Sequence, residues 1–328
     1  MARKRFFWTF LNSILFSLIS ITSPAFAIFG GTPAIGNKVV VALIRGEFAT
    51  TSGCSGGLVA PRIVLTAAHC LTGTASNIWI AEPGSDLRDI KTKRIQVAEF
   101  FIPEGFSTEK FPYQNDFGIL VLKSGFAGHE TLELASLEQI QKWINEEASV
   151  THVGYGCTAL VDSPPCGATS PIPNQFETTF NKLTPPQFTS LIPNTFSMTK
   201  ISIDKTICGG DSGSPLLKLV DGKWFYVGAQ SSSNGAGCTK SCNEICAATQ
   251  GLPAVNQGMV QAALKLVAAS TPTPTPSSAQ TPTPSSAPSV SVAPKSTAKL
   301  KSITCTKGKI TKKVTALNPK CPTGYRKK

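Results

Sequence analysis

Between Ile28 and Ala268 the apolar residues come in short runs: VVVALI (39–44), RIVLTAA (62–68), IWIA (78–81), FGILVL (117–122), VTHVGY (150–155) and WFYVGAQ (224–230). Each is rich in β-branched or aromatic side chains and is set off by turn residues. Runs of this length suit strands and are too short for helices that must cover a core. The spacing therefore predicts an antiparallel sandwich or barrel and excludes a chain of alternating strands and helices. The 27 Gly and 24 Pro point the same way. Two stretches read as helices, Leu137–Glu147 and Gln257–Ala268, the second closing the domain.

The flanks differ from this region in composition. Residues 1–27 read as a signal peptide: a basic start (Arg3, Lys4, Arg5), an apolar stretch from Phe6 to Ile21, and an Ala-x-Ala site ending at Ala27. No later apolar stretch is long enough to span a membrane as a helix, so a secreted, extracellular protein is expected. Export also suits the ten cysteines. Residues 269–298 are mostly Thr, Pro, Ser and Ala and read as a disordered linker, reaching roughly 90 Å at about 3.1 Å per residue if fully extended. Residues 299–328 carry ten Lys or Arg and no acid, whereas 28–268 carry 17 Lys or Arg against 19 Asp or Glu. The net charge of +12 thus belongs to the tail rather than to the large domain. Within the tail two short strands flank a Lys-Gly-Lys turn, and a Cys305–Cys321 disulfide would add roughly 3 kcal/mol by loop entropy.

Three segments of the large domain carry chemistry. In CSGGLVAPRIVLTAAHC (54–70), Cys54 and Cys70 bracket a strand ending at His69, and a disulfide between them would hold that imidazole in place. A general base needs a pKa near neutrality and a fixed orientation. In GGDSGSP (209–215), Ser212 stands among glycines that let the backbone turn sharply. The N–H groups of Gly210 and Ser212 would then form an oxyanion hole. A serine needs a base beside it to act as a nucleophile. Asp116, just before the apolar run 117–122, is the candidate carboxylate, and the order His, Asp, Ser favours this role over that of a strand-start cap.

Four motifs in order, IFGG (28–31), TAAHC (66–70), NDFGILVL (115–122) and GDSGSP (210–215), make residues 28–268 resemble the chymotrypsin/trypsin-like serine endopeptidases. The resemblance implies two antiparallel six-stranded β-barrels with a His69–Asp116–Ser212 triad in the cleft between them. It implies hydrolysis of protein or peptide substrates by acyl transfer. It also implies an activation pair, the new ammonium of Ile28 against Asp211, and the expected leader cleavage falls just before Ile28. By the same resemblance Thr206 lies at the base of the pocket for the residue preceding the scissile bond, with Ser231, Ser233 and Ala254 around it. Trypsin-like members carry Asp where Thr206 stands, so an uncharged small or medium residue is expected there. Cys208 is expected to pair with one of Cys238, Cys242 and Cys246, the other two with each other, and Cys157 with Cys166.

No metal or cofactor is expected, since the cysteines lack CxxC spacing and suit disulfides. The alternative is a catalytically inactive homologue serving as a protein- or surface-binding module. Such proteins lose a triad member, and all three candidates are present here. The tail resembles short Lys/Cys-rich C-terminal repeats of some secreted actinobacterial proteins. Its charge suits an anionic cell-surface polymer. Specific nucleic-acid binding is not expected, because only Tyr325 offers an aromatic platform.

Overall fold

The computed structural model describes residues 28–107, 109, 113–158, 169–182, 196–202, 204–234, 246–269, 301–308, 310–316, 321 and 325–328. The expected leader, and the expected linker apart from Ala269, lie outside these. The chain divides into two compact units, Met1–Thr273 and Pro274–Lys328.

In the larger unit a short strand β1 (Thr32–Pro33) is followed by β2 (Val40–Arg45), β3 (Cys54–Ala60), β4 (Ile63–Thr66), β5 (Ile78–Ala81), β6 (Arg94–Phe101) and β7 (Gly118–Leu122). Hydrogen bonding runs β2–β3–β4–β7–β6–β5 and closes on β2 as a barrel. The unbroken apolar runs follow from burial on both faces. From β2, Val41 and Leu43 fill the barrel with Leu58, Val64, Leu120 and Leu122. Val40, Ala42 and Ile44 face outward into a second cluster with Tyr155, Leu217 and Tyr226.

The remainder comprises β8 (Glu133–Leu134), α1 (Leu137–Asn145), β9 (Ser149–Gly154), β10 (Asn174–Thr179), β11 (Phe196–Ile201), β12 (Pro215–Val220), β13 (Lys223–Asn234), β14 (Cys246–Gly251) and α2 (Gln257–Ala269). The strands form one sheet in the order β1–β10–β9–β12–β13–β14–β11, with β8 parallel to β13. This corrects the expectation of two closed six-stranded barrels: the first closes and the second is open. The cause is local to β10. Its start, Asn174–Gln175, pairs with β1, and among the described residues a single bridge, Phe180 with Thr199, joins the chain just past its end to β11. One bridge stands where a ladder would be needed for closure.

Helix α1 begins with a reciprocal capping box. Gln139 N–H donates to Ser136 Oγ at 3.1 Å, and Ser136 N–H donates to Gln139 Oε1 at 2.8 Å. It ends at Asn145, two residues before the expected Glu147, which sits in the left-handed region at φ 46°. Helix α2 buries Val260 and Ala263 against the barrel's outer face. No helix among the described residues is long and apolar enough to cross a membrane.

The smaller unit is a three-stranded sheet. β15 (Lys301–Lys307) and β16 (Ile310–Ala316) pair as a hairpin that turns at Gly308, and β17 (Arg326–Lys327) lies on the other side of β15. The Cys305–Cys321 disulfide ties it, with Cys305 fully buried.

Candidate active site

The register of two adjacent strands brings His69 and Asp116 together. In the antiparallel β4–β7 pair, Thr66 lies opposite Gly118. The chain leaving β4 and the chain entering β7 are therefore at the same end of the barrel. His69 follows Thr66 on a 3-10 turn over Ala68–Cys70, and Asp116 stands two residues before Gly118. The Cys54–Cys70 disulfide pins the far side of that turn to β3.

Asp116 is fully buried and every bond to it comes from the site. Its Oδ2 lies 2.7 Å from His69 Nδ1, and its Oδ1 accepts the His69 backbone N–H at 2.9 Å. The Ser231 hydroxyl donates to Oδ2 at 2.5 Å. A buried carboxylate needs such partners, since an unpaired one costs several kcal/mol. The arrangement holds the ring with Nδ1 toward the acid and Nε2 on the opposite side of the ring. The His69 side chain keeps 21% of its surface exposed. Tyr113 lies edge-on to the ring at 5.6 Å.

The other two histidines serve elsewhere. His152 is fully buried, stacks on Phe176 and bonds Thr199 through Nε2 at 2.8 Å; burial pushes it down to about 3. His129 pairs with Glu82 at 3.0 Å.

Ser212 is half-buried on the loop between β11 and β12, and neighbouring backbone ties that loop to the His69–Asp116 pair. Ser55 N–H donates to Ser212 C=O at 2.8 Å. Gly213 N–H donates to Gln230 C=O at 2.7 Å, and Gln230 precedes the Ser231 that holds Asp116. Gly213, at φ 77°, packs so closely that a Cβ would lie 2.0 Å from Thr66 Oγ1 and 2.7 Å from Ala67 N. Only glycine fits there. The Gly210 and Ser212 N–H groups are unclaimed among the described residues, whereas Asp211, Gly213 and Ser214 each donate to a carbonyl. Cys157 N–H holds the Gly209 carbonyl at 2.8 Å. In a trans peptide this turns the Gly210 N–H the opposite way.

Asp211 is fully buried against the backbone of Gly154 and Gly156. Its oxygens accept the N–H groups of Gly156 and Cys208, each at 2.8 Å. Burial nevertheless raises the carboxyl to about 7, only partly offset by those two donors. No cation stands against it among the described residues. Ile28 is buried in a pocket with Phe176, Ile207 and Ala248. It sits at φ 57°, a strained position for a β-branched residue.

Thr206 is buried and receives its main backbone contact from Phe29, to whose carbonyl its N–H donates at 3.2 Å. Ser231 and Ser233 lie on β13, the first with its hydroxyl committed to Asp116. Ala254 lies on a 3-10 turn after β14 and packs with the cluster of Ala135, Ile140 and Trp143 beneath α1. Cys157 and Cys208 are disulfide-bonded. Cys166, Cys238 and Cys242 lie outside the described residues, as does the side chain of Cys246. Cys54, His69 and Cys70 cluster closely enough to suggest a metal site. Their sulfurs are joined in the disulfide, which leaves one imidazole as the ligand.

Sequence reasoning missed Ser55, which joins three parts of the molecule. Its hydroxyl donates to Gly210 C=O at 3.0 Å and accepts Tyr155 N–H at 2.9 Å, while Thr66 Oγ1 donates to its carbonyl at 2.7 Å. The one available signal was a hydroxyl beside Cys54 in a strand otherwise of glycine and aliphatic residues.

Residues 28–250 match the trypsin family. The chymotrypsin of Phaedon cochleariae is 24% identical over 200 residues, covering 59% of this chain and 70% of that protein. Kallikrein-7 of Homo sapiens is 29% identical over 171 residues, covering 50% of this chain and 62% of that protein. The secreted serine protease VesC from Vibrio cholerae shares the fold, with a TM-score of 0.53 at 17% identity over 70% of this chain. This chain spans about half the length of that structure, 47%.

Proposed function

The chain belongs to the trypsin family, and from that premise we propose that it is a secreted serine endopeptidase with His69, Asp116 and Ser212 as its triad. The observation that carries this reading is the fully buried Asp116 carboxylate bonded to His69 Nδ1 and Ser231, with the Ser212 loop bonded to Ser55 and to Gln230, the neighbour of Ser231. Ser212 Oγ attacks the scissile carbonyl while His69 Nε2 takes its proton. The unclaimed N–H groups of Gly210 and Ser212 receive the oxyanion. Collapse of the tetrahedral species breaks the C–N bond, and His69 passes its proton to the departing amine. Water then repeats the sequence on the acyl-enzyme, with His69 as base, and frees Ser212.

Activation by cleavage before Ile28 suits what surrounds it. Cutting the 27–28 bond abolishes the strained φ of Ile28 and creates an ammonium, which is the charge that the buried Asp211 lacks. The leader would thus serve as the only activation segment. N-terminal sequencing of the secreted protein should find Ile28 first. The uncharged Thr206, with Ser231 and Ser233 on β13, supports an uncharged small or medium residue before the scissile bond. The basic sheet of residues 299–328 would tether the enzyme to an anionic surface polymer.

A peptide library varied at the residue before the scissile bond, run with the secreted protein and with Ser212→Ala, tests the reading. Hydrolysis should fall about 10⁶-fold in the variant. Hydrolysis that persists in Ser212→Ala, or that never occurs, overturns it.

A further inference from the structure

A cavity of about 140 Å³ opens beside His69, and the described residues that line it all belong to the closed barrel. That is room for several waters, enough for one side chain. Its apolar wall is Ile78 and the Cys54–Cys70 disulfide, and its polar wall is Arg45, Thr72 and His69. Arg45 ends β2, and its guanidinium is oriented without being neutralised. Nη2 donates to Cys70 C=O at 2.9 Å and Nη1 to Thr72 C=O at 3.3 Å, with a longer bond from Nη2 to Thr72 Oγ1. All three acceptors are neutral. Among the described residues no carboxylate pairs with Arg45, and its Nε–H is unclaimed. By contrast Arg88, also exposed, folds onto Asp86 at 2.6 Å.

The position of the cavity decides which part of a substrate reaches it. In the peptidase reading, on which this inference rests, the acyl half lies against Thr206, Ser231 and Ser233 on the open sheet. The amine half leaves past His69, which protonates it. A cavity that borders His69 and, among the described residues, takes no lining from the open sheet therefore faces the amine half. We infer that this cavity is a subsite for an acidic side chain, Asp or Glu, in the first two residues after the scissile bond. The unclaimed Nε–H and second Nη1–H of Arg45 remain for a carboxylate, and a cation so oriented loses little freedom on pairing.

The test uses the full secreted chain and peptides that share one acyl half and carry Glu, Gln or Lys at each of the two following positions. The wild type should show kcat/KM about three- to tenfold higher for Glu than for Gln at one of them, with the advantage shrinking as salt rises. Arg45→Gln should abolish the Glu/Gln ratio, Arg45→Lys should keep part of it, and Arg45→Glu should invert it toward Lys. Because each figure is a ratio within one protein, a general loss of folded enzyme does not mimic it. Equal rates for Glu and Gln in the wild type, or a preference that survives Arg45→Gln, overturn the subsite while leaving the peptidase reading intact. Absence of all hydrolysis overturns both.

Discussion

In the closed barrel, His69 and Asp116 stand at the ends of two strands that hydrogen-bond directly to each other, and a disulfide clamps the turn between them. In the open sheet, Gly210–Ser212 sit on a loop that no ladder holds. Its shape depends on borrowed contacts: Ser55 from the barrel, Gln230 from β13, and the carboxylate of Asp211 against Gly156 and Cys208. One half of the site is set by the fold and the other by a few polar bonds that can be made or withheld. This is a reason for the proposed activation switch to lie in the second half. A closed ladder opens only by unfolding, whereas a loop braced by single bonds moves at modest cost.

Loss of the Ser212 nucleophile itself aside, the largest effect should come from the rigid half. Asp116→Asn should lower kcat about 10⁴-fold with little change in stability, because the ring keeps its place and loses its tautomer. A loss of tenfold or less in steady-state hydrolysis would mean that the barrel's contribution is scaffolding alone.

Next comes the charge in the adaptable half. The raised Asp211 carboxyl makes a contribution to stability that is full below its unfolded value of about 3.8 and is lost as pH rises through about 7. A chain whose Ile28 is still joined to residue 27 should therefore be less stable at pH 8 than at pH 4, by an amount on the order of 4 kcal/mol. The chain beginning at Ile28 should lose that dependence, since the ammonium pairs with the carboxylate. Urea midpoints of both forms carrying Ser212→Ala, taken across this range, decide it. Parallel curves would show that Asp211 has found another partner.

Ser55→Ala cuts the link between the halves. It leaves Tyr155 N–H and Gly210 C=O without that hydroxyl, at a cost of about 1–3 kcal/mol. If the hydroxyl steadies the oxyanion donors, kcat should fall about tenfold while KM stays constant. A stability loss with unchanged kcat would confine Ser55 to a structural part.

The smallest effect on chemistry is expected from deleting residues 299–328. Peptide hydrolysis should stay within twofold, while retention on an anionic polymer at low salt should fall. Equal retention of the two forms in a salt-gradient binding assay would remove the tether.

The motifs at His69, Asp116 and Ser212 were legible because the backbone conformation each one needs is written locally, although the bonds that join them are not. A strand end, a strand start and a glycine turn each leave a mark within a few residues. The positions of β2, β4, β5, β7, β9 and β13 followed from apolar runs that are buried on both faces. Strands such as β6 (RIQVAEFF) and β10 (NQFETT) carry weaker patterns and were not called out by the same rule. The end of α1 shows the same limit at one residue. Leu137–Glu147 is uniformly helical in composition, and only the left-handed φ of Glu147 stops it earlier.

By itself the sequence determined an all-β domain, a basic disulfide-tied tail, and the candidate residues from which we propose a serine-type site is built. Only the tertiary structure decided that one barrel closes and the other stays open, that Ser55 and Ser231 brace the two halves, and that an unneutralised Arg45 looks into a cavity beside His69. The physical reason is range. Strand period and turn chemistry act over a handful of residues and are written in order along the chain. Sheet closure, hydrogen bonds between residues as distant as Ser55 and Gly210, and the pairing or isolation of a charge depend on which segments packing brings together.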